Sequence, residues 1–340
     1  MRNASINKVG IKVFVTLVIT LIINLSCPIT TWAQDTNKPA GTLTTESTAY
    51  CLPAVQGALG QAFGFNPPVT TVTPAQASFV KQYFATRMQL DWSNKLRKDG
   101  VLDYMSGPSN KVQNWLATKG FKMNLGSGDA VASVFDVKLD WVTPGQPTSM
   151  MVDKVAYSAA KFTIGKLEDK SADNGRYAAF KPEKEVKGFT GPHFYLPVTK
   201  KGWTVSIMEY IGEGNELALI QACRTLKETA QAVDESFTAG TVTIPKVSMM
   251  KEVDVSVLMN MSGEKDGKKF RVDQAIKVCK FDLSDTGVKA SAAVALVSKG
   301  PAPRSHIIDG PFAVMIWDSS GIYPAFVALC ASDSWVKESK

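Results

Sequence analysis

Asp285-Thr286-Gly287-Val288-Lys289-Ala290-Ser291-Ala292-Ala293-Val294 is the segment on which the architecture turns. Asp, Thr and Gly open it as a turn, and small residues fill most of the remainder. Val288, Ala290, Ala292, Val294 and Leu296 recur at every second position, while Lys289 and Ser291 begin the intervening set. Period two marks a strand with one buried face. Large side chains are scarce, so the segment can also slide between two existing strands without steric cost. It is therefore able to live as an exposed loop and later become a strand. On these residues alone an ordinary Ala-rich strand or helix is the plainer reading, and the rest of the chain has to discriminate.

The chain has 340 residues and a formal net charge of +7, with apolar and charged fractions that indicate a globular protein. Its start reads as a secretory signal peptide. Arg2, Lys8 and Lys12 are a basic leader, Val13 to Leu25 is an apolar run, and Thr31-Trp32-Ala33 is a small-x-small cleavage signal. The run is shorter than the roughly 20 apolar residues of a membrane span. A lipid anchor at Cys27 is the alternative, although Asn24 stands where an aliphatic residue is expected. Residues 1–33 are thus expected to lie outside the fold, with cleavage near Ala33 and a secreted, periplasmic or extracellular product. Their removal lowers the charge from +7 to +4. The densest basic cluster left, Lys265-Asp266-Gly267-Lys268-Lys269, reads as a solvated hairpin tip, and nucleic acid is not an expected partner.

Four cysteines remain beyond the leader: Cys51, Cys223, Cys279 and Cys330. They allow three disulfide connectivities, or buried free thiols. None sits at metal-site spacing and only His193 and His306 offer imidazoles, so neither a metal nor another cofactor is expected.

Residues 34–48 are polar and Thr-rich, a flexible start to a single domain spanning 34–340. Small and apolar residues from Tyr50 to Phe65 predict a buried, closely packed helix. Thr73-Pro74 predicts a capped start to a helix carrying Phe79, Val80, Tyr83, Phe84 and Met88 and closed by Gly100. A helix from Ser109 to Gly120 and another from Leu217 to Val233 show the same spacing. Strands are predicted at 131–137, 203–208, 241–244, 276–283 and 312–317. Helices early and strands late predict an α+β architecture with large, mainly antiparallel sheets.

In that order of elements the second half resembles the serpin family. Asp285-Thr286-Gly287-Val288-Lys289-Ala290-Ser291-Ala292-Ala293 is similar to that family's hinge, acidic residues and Gly followed by alanines. Phe281-Asp282-Leu283-Ser284 stands where the family has its Ile-Glu-Val-Asn strand, and Pro311-Phe312-Ala313-Val314-Met315-Ile316-Trp317-Asp318 resembles its terminal strand, with Gly321 and Phe326 after it. Pro245-Lys246-Val247 with Asp254-Val255 matches the Pro-Lys-Phe and Asp-Leu pair. Lys138, Trp141 and Met150-Met151 fit the end of the central strand and the methionine pair after it. Val112, Trp115, Thr118 and Gly120 are similar to the helix that crosses the main sheet. The resemblance runs from about residue 112 to 330. Before residue 110 the family's Asn-Phe-Ser-Pro segment has no clear counterpart, Tyr50-Cys51-Leu52-Pro53 being the nearest. Lys277-Val278-Cys279 replaces His-Lys-Ala, and Val288 replaces the threonine usual in inhibitors.

The resemblance implies an exported, monomeric protease inhibitor whose exposed loop baits a serine protease and, once cleaved, inserts into the main sheet. The hinge residues it assigns are Asp285, Thr286, Gly287, Val288, Ala290, Ala292 and Val294. The inward set passes the requirement for small, uncharged side chains. Counting forward from the hinge puts the scissile position at Pro301, and counting back from Pro311 puts it at Gly300. Lys299, just upstream, suits a trypsin-like protease, and Arg304-Ser305 is a more distant candidate. Cleavage after Lys299 leaves a shorter inserting arm and favours substrate behaviour over trapping.

Two rival readings stay open. A non-inhibitory serpin-like binding or structural protein is favoured by Val288, the short loop and the reduced N-terminal half. An enzyme is disfavoured: no Gly-x-Ser-x-Gly elbow surrounds any serine and no phosphate-binding Gly-rich loop occurs. Asn260-Met261-Ser262 is a glycosylation sequon, with meaning only on a eukaryotic secretory route.

Overall fold

The structure, a computed structural model, describes residues 13–23, 46–64, 69–83, 87–163, 178–180, 185–212, 216–230, 241–254, 256–265, 267–285 and 305–338. The predicted strand around Val131 is longer than its apolar core, running as β5 over Asp129–Leu139. Its two residue sets serve two cores, as period two requires. Val131, Phe135, Val137 and Leu139 belong to the main core, whereas Ala130, Ala132 and Val134 pack with Val112 and Leu116. One face of the sheet is thus covered by α1, Leu52–Phe63, and the other by α4, Ser109–Thr118.

Helix α1 is buried over nearly its whole length, because Ala54, Gly57, Ala58 and Gly60 let it lie close to the sheet. A Cβ on Gly57 would stand 2.8 Å from Ser133 Oγ, so the close approach requires glycine there. Helix α4 stops as its sequence predicts. Gly120 takes φ +88°, and the Phe121 N–H donates to the Leu116 carbonyl at 3.0 Å. The helix predicted after Pro74 is described over Pro74–Tyr83 (α2) and Arg87–Lys98 (α3), and residues 84–86 lie outside the described residues. Its start is as expected, since Thr73 Oγ1 accepts from the Gln76 N–H at 3.2 Å. Helix α5, Glu216–Ala230, completes the helical set among the described residues.

Three sheets carry the rest. The first contains β1 (Val13–Ile23), β3 (Val69–Thr70), β4 (Leu102–Pro108), β5, β12 (Val247–Asp254), β13 (Ser262–Lys265) and β14 (Lys268–Leu283). Its order is β3-β13-β14-β1-β5-β4, with β12 also paired to β14. The second runs β2-β17-β16-β10-β9-β8, built from Thr48–Tyr50, Phe326–Cys330, Phe312–Asp318, Trp203–Tyr210, Phe189–Pro197 and Ala178–Phe180. The third runs β15-β11-β7-β6, from Ser305–Ile307, Thr241–Pro245, Val155–Thr163 and Gln146–Val152. Among the described residues only β11 and β15 pair in parallel, so the α+β, mainly antiparallel expectation holds. Phe281 and Phe326, both fully buried, stack at 5.6 Å and tie the first sheet to the second.

Residues 13–23, set outside the fold as a leader, form a central strand here. The flexible stretch 34–48 ends earlier than expected: Thr48 is already in β2, and the buried Ser47 hydroxyl bonds to Ser334 Oγ at 2.7 Å. Cleavage near Ala33 and the anchor residue Cys27 lie outside the described residues. The Lys265–Lys269 cluster is a hairpin tip between β13 and β14, with Gly267 at φ +73°. Cys51, Cys223 and Cys330 are buried free thiols, with burial pushing the Cys223 and Cys330 thiols up.

Candidate functional site

The segment that the sequence reads as a hinge begins where β14 leaves the first sheet. Leu283 is its last strand residue, and the Ser284 carbonyl accepts from the Trp141 indole Nε1 at 3.0 Å. Trp141 sits just past β5 and meets Phe162 edge-on at 5.9 Å, which fixes the indole. The tops of β5 and β14 are therefore bridged by one side chain. Asp285 is next in the chain, its side chain 2% exposed, with Oδ1 2.5 Å from Lys246 Nζ. The contact is ionic rather than an aligned hydrogen bond. Lys246 is itself held at the β11–β12 junction, donating its N–H to Ser158 O at 2.8 Å and accepting from Val336 N at 2.9 Å. Below the hinge, Phe162, Leu196, Ile244 and Leu283 leave a void of about 10 Å³, so this end of the molecule is packed.

The chain returns at β15. Ser305, His306 and Ile307 align with Thr241, Val242 and Thr243 of β11, and Ile308 N donates to Thr243 O at 3.0 Å. His306 Nε2 lies 3.4 Å from Glu209 Oε2, and its ring is 5.4 Å from that of Phe194. The strand is thereby fastened to the second sheet as well as the third.

Between β5 and β14 lies a strand slot. In it β1 pairs antiparallel with both walls, Val15 opposite Phe281 on one side and Val137 on the other. Strands β5 and β14 do not pair with each other directly. The hinge at Ser284 and Asp285 thus leaves the sheet from one wall of the slot, while Trp141 stands at the end of the other.

Of the hinge residues predicted from sequence, Asp285 alone falls within the described residues. Thr286, Gly287, Val288, Ala290, Ala292 and Val294, and the scissile candidates Lys299, Gly300 and Pro301, lie outside them. The family resemblance places Trp141 at the end of the central strand and Lys246 in the Pro-Lys-Phe match, and neither placement points to Ser284 or Asp285. The signal that could have found the pair is the opposite charge of Lys246 and Asp285, which no local spacing connects. His193, one of the two imidazoles, is 1% exposed on β9 and lies 4.5 Å ring to ring from Tyr195. Burial pushes its pKa down to about 3, so the ring is neutral and enclosed, ill placed to take a proton from a substrate. Among the described residues no group of His, Cys, Asp and Glu is arranged to hold a metal, and no helix is long and apolar enough to cross a membrane.

No family model matches the chain, and no curated protein matches it. Solved structures do. SRPN18 from Anopheles gambiae is 12% identical, with a TM-score of 0.54, the match covering 84% of this chain and 92% of that one. Thyroxine-binding globulin in complex with thyroxine is 10% identical, with a TM-score of 0.51, covering 84% and 92%. A serpin from the trematode Schistosoma haematobium matches at 11% identity, covering 84% and 94%, with a TM-score of 0.49. The chain is a divergent serpin-fold protein, an α+β fold whose sequence has moved far from these solved structures.

Proposed function

We propose that this chain is an exported protease inhibitor in which segment 286–304 is an exposed loop, cleaved by a serine protease and then inserted between β5 and β14. The observation that carries the reading is the slot. Its walls accept a strand in antiparallel register on both sides, over eleven residues along β5 and nine along β14, with the proposed hinge at the rim. Insertion from Val288 onward would continue the chain antiparallel to β14, the direction the slot accepts. With β1 out of the slot it would complete two rows of backbone hydrogen bonds and bury one apolar face, so the uninserted state is then the less stable one. Lys246 and Trp141 fasten the hinge at Asp285 and Ser284, so that strain developed beyond it acts on the slot. With Lys299–Gly300 as the scissile bond, the acyl link to the protease forms at the Lys299 carbonyl, the end of the arm that moves.

A second reading is a serpin-fold binding or structural protein that does not trap proteases. Val288 at the hinge and Pro301 beside the cleavage position favour it. Incubation with a trypsin-like and an elastase-like protease, then denaturing electrophoresis and melting of the product, separates the two. Inhibition predicts a denaturant-resistant complex. Cleavage with a large rise in melting temperature but no complex means that insertion works without trapping. Cleavage with neither removes the inhibitor reading.

A further inference from the structure

We propose that the apolar run Val13–Ile23 is itself an occupant of the slot between β5 and β14, so that a chain retaining it is shut against any other strand. The proposal rests on the slot being the receiving site of the function proposed above. The register is continuous along β5, from Val13 opposite Leu139 to Ile23 opposite Asp129. On β14 it runs from Val15 opposite Phe281 to Ile23 opposite Val272, with one irregularity at Ile22 and Ile23.

Sequence pattern agrees with that register. Val13, Val15, Leu17, Ile19, Leu21 and Ile23 align with the set of β5 that contains Val131, Phe135, Val137 and Leu139, the set of the main core. Thr16 aligns with Asp136, which is exposed. Thr20 aligns with Ala132 of the second core, so what separates the two faces is that the set facing the main core is apolar throughout. Val, Ile and Thr dominate the run, as strands prefer. The properties that make the run read as a leader, short and continuously apolar, are those a central strand needs.

Geometry makes the two segments competitors. Residues 288–298 have the same length as β1, and their alternate positions from Val288 to Leu296 are apolar as in β1, Ser298 being the exception. Both segments belong to one chain, and the slot holds one strand. While β1 is in place, the inner edges of β5 and β14 are paired. Once it leaves, those edges must close on each other or take another strand, because unpaired buried backbone groups are costly.

The test compares the full chain, residues 1–340, with the same chain cut after Ala33 at an inserted protease site. The full chain is expected to melt higher by at least about 5 °C, as a bound strand would confer, with slower amide exchange along β5 and β14. A synthetic peptide of residues 13–23, added in excess to the cut chain, should restore both, and a scrambled peptide should not. Ile19→Pro in the full chain should lower its melting to that of the cut chain, since proline cannot donate to a central ladder. Equal melting of the two chains, or a peptide that leaves the cut chain unchanged, overturns the proposal. A peptide of residues 288–298 separates this failure from that of the function. If it binds and the 13–23 peptide does not, the occupant proposal falls and insertion stands. If the 13–23 peptide binds and it does not, the occupant proposal stands and insertion falls; binding of neither removes both.

Discussion

Lys246 Nζ lies 2.5 Å from Asp285 Oδ1, and the carboxylate is 2% exposed, so the β11–β12 junction grips the residue from which the hinge departs. Replacing one partner of a buried pair strands the other charge without compensation, at a cost of about 3–5 kcal/mol. Lys246→Met should lose stability of that order in urea unfolding. The double variant Lys246→Met with Asp285→Leu should recover most of the loss. If the double variant is as weak as the single one, the pair is not the fastening.

His193 gives the protein an acid sensitivity of its own. Its folded pKa is lowered to about 3 by burial, against about 6.5 in an unfolded chain. The unfolded state therefore binds the proton first, so stability is full above about pH 6.5 and falls as the pH drops from there toward 3. His193→Phe, of similar shape and with no charge to desolvate, should flatten the unfolding midpoint between pH 7 and pH 5. Parallel pH slopes for the two proteins would show that another group is responsible.

Asp318, 1% exposed at the end of β16, receives Lys95 Nζ at 2.7 Å and Trp92 Nε1 at 3.1 Å and also bonds Ser320. Burial pushes its carboxyl up, but the hydrogen bonds from Lys95 and Ser320 outweigh it and hold the group below the usual carboxylate range. The resulting stability is present above about pH 4 and is lost as the pH falls through the folded value. Asp318→Asn should cost about 2 kcal/mol at pH 7, in the range of charged hydrogen bonds. Its stability curve should approach that of the parent below pH 4, and a constant offset at all pH values would refute the assignment.

Gly188 and Gly212 clasp the ring of Tyr210. A Cβ on either would come within 2.6 Å of that ring, and Gly188 also takes φ +87°. Gly188→Ala should destabilise by about 1–3 kcal/mol through overpacking, with backbone strain added. Gly212→Ala, which carries only the steric part, should cost less. Thermal melting of the two variants orders them, and the reverse order would place the main penalty in packing.

Local signals made much of this protein legible. Thr73-Pro74 started α2, Gly120 ended α4, the small residues of α1 foretold its close packing, and short apolar, β-prone runs marked β5, β10, β14 and β16. Such signals depend on neighbours three or four positions away, or two, so one sequence carries them. Strand β9 escaped because Gly191 and Pro192 interrupt it where its register with β10 shifts, an irregularity only its partner strand makes tolerable. The proposed hinge is a sequence pattern from Asp285 onward, most of it outside the described residues. Its fastening was not legible, for Lys246 and Trp141 come to it through contacts across 39 and 143 residues of chain. The run 13–23 draws the boundary most clearly. Composition determines that it is apolar, short and β-prone; whether that makes a leader or a strand depends on the place between β5 and β14, which exists only when the sheet has formed.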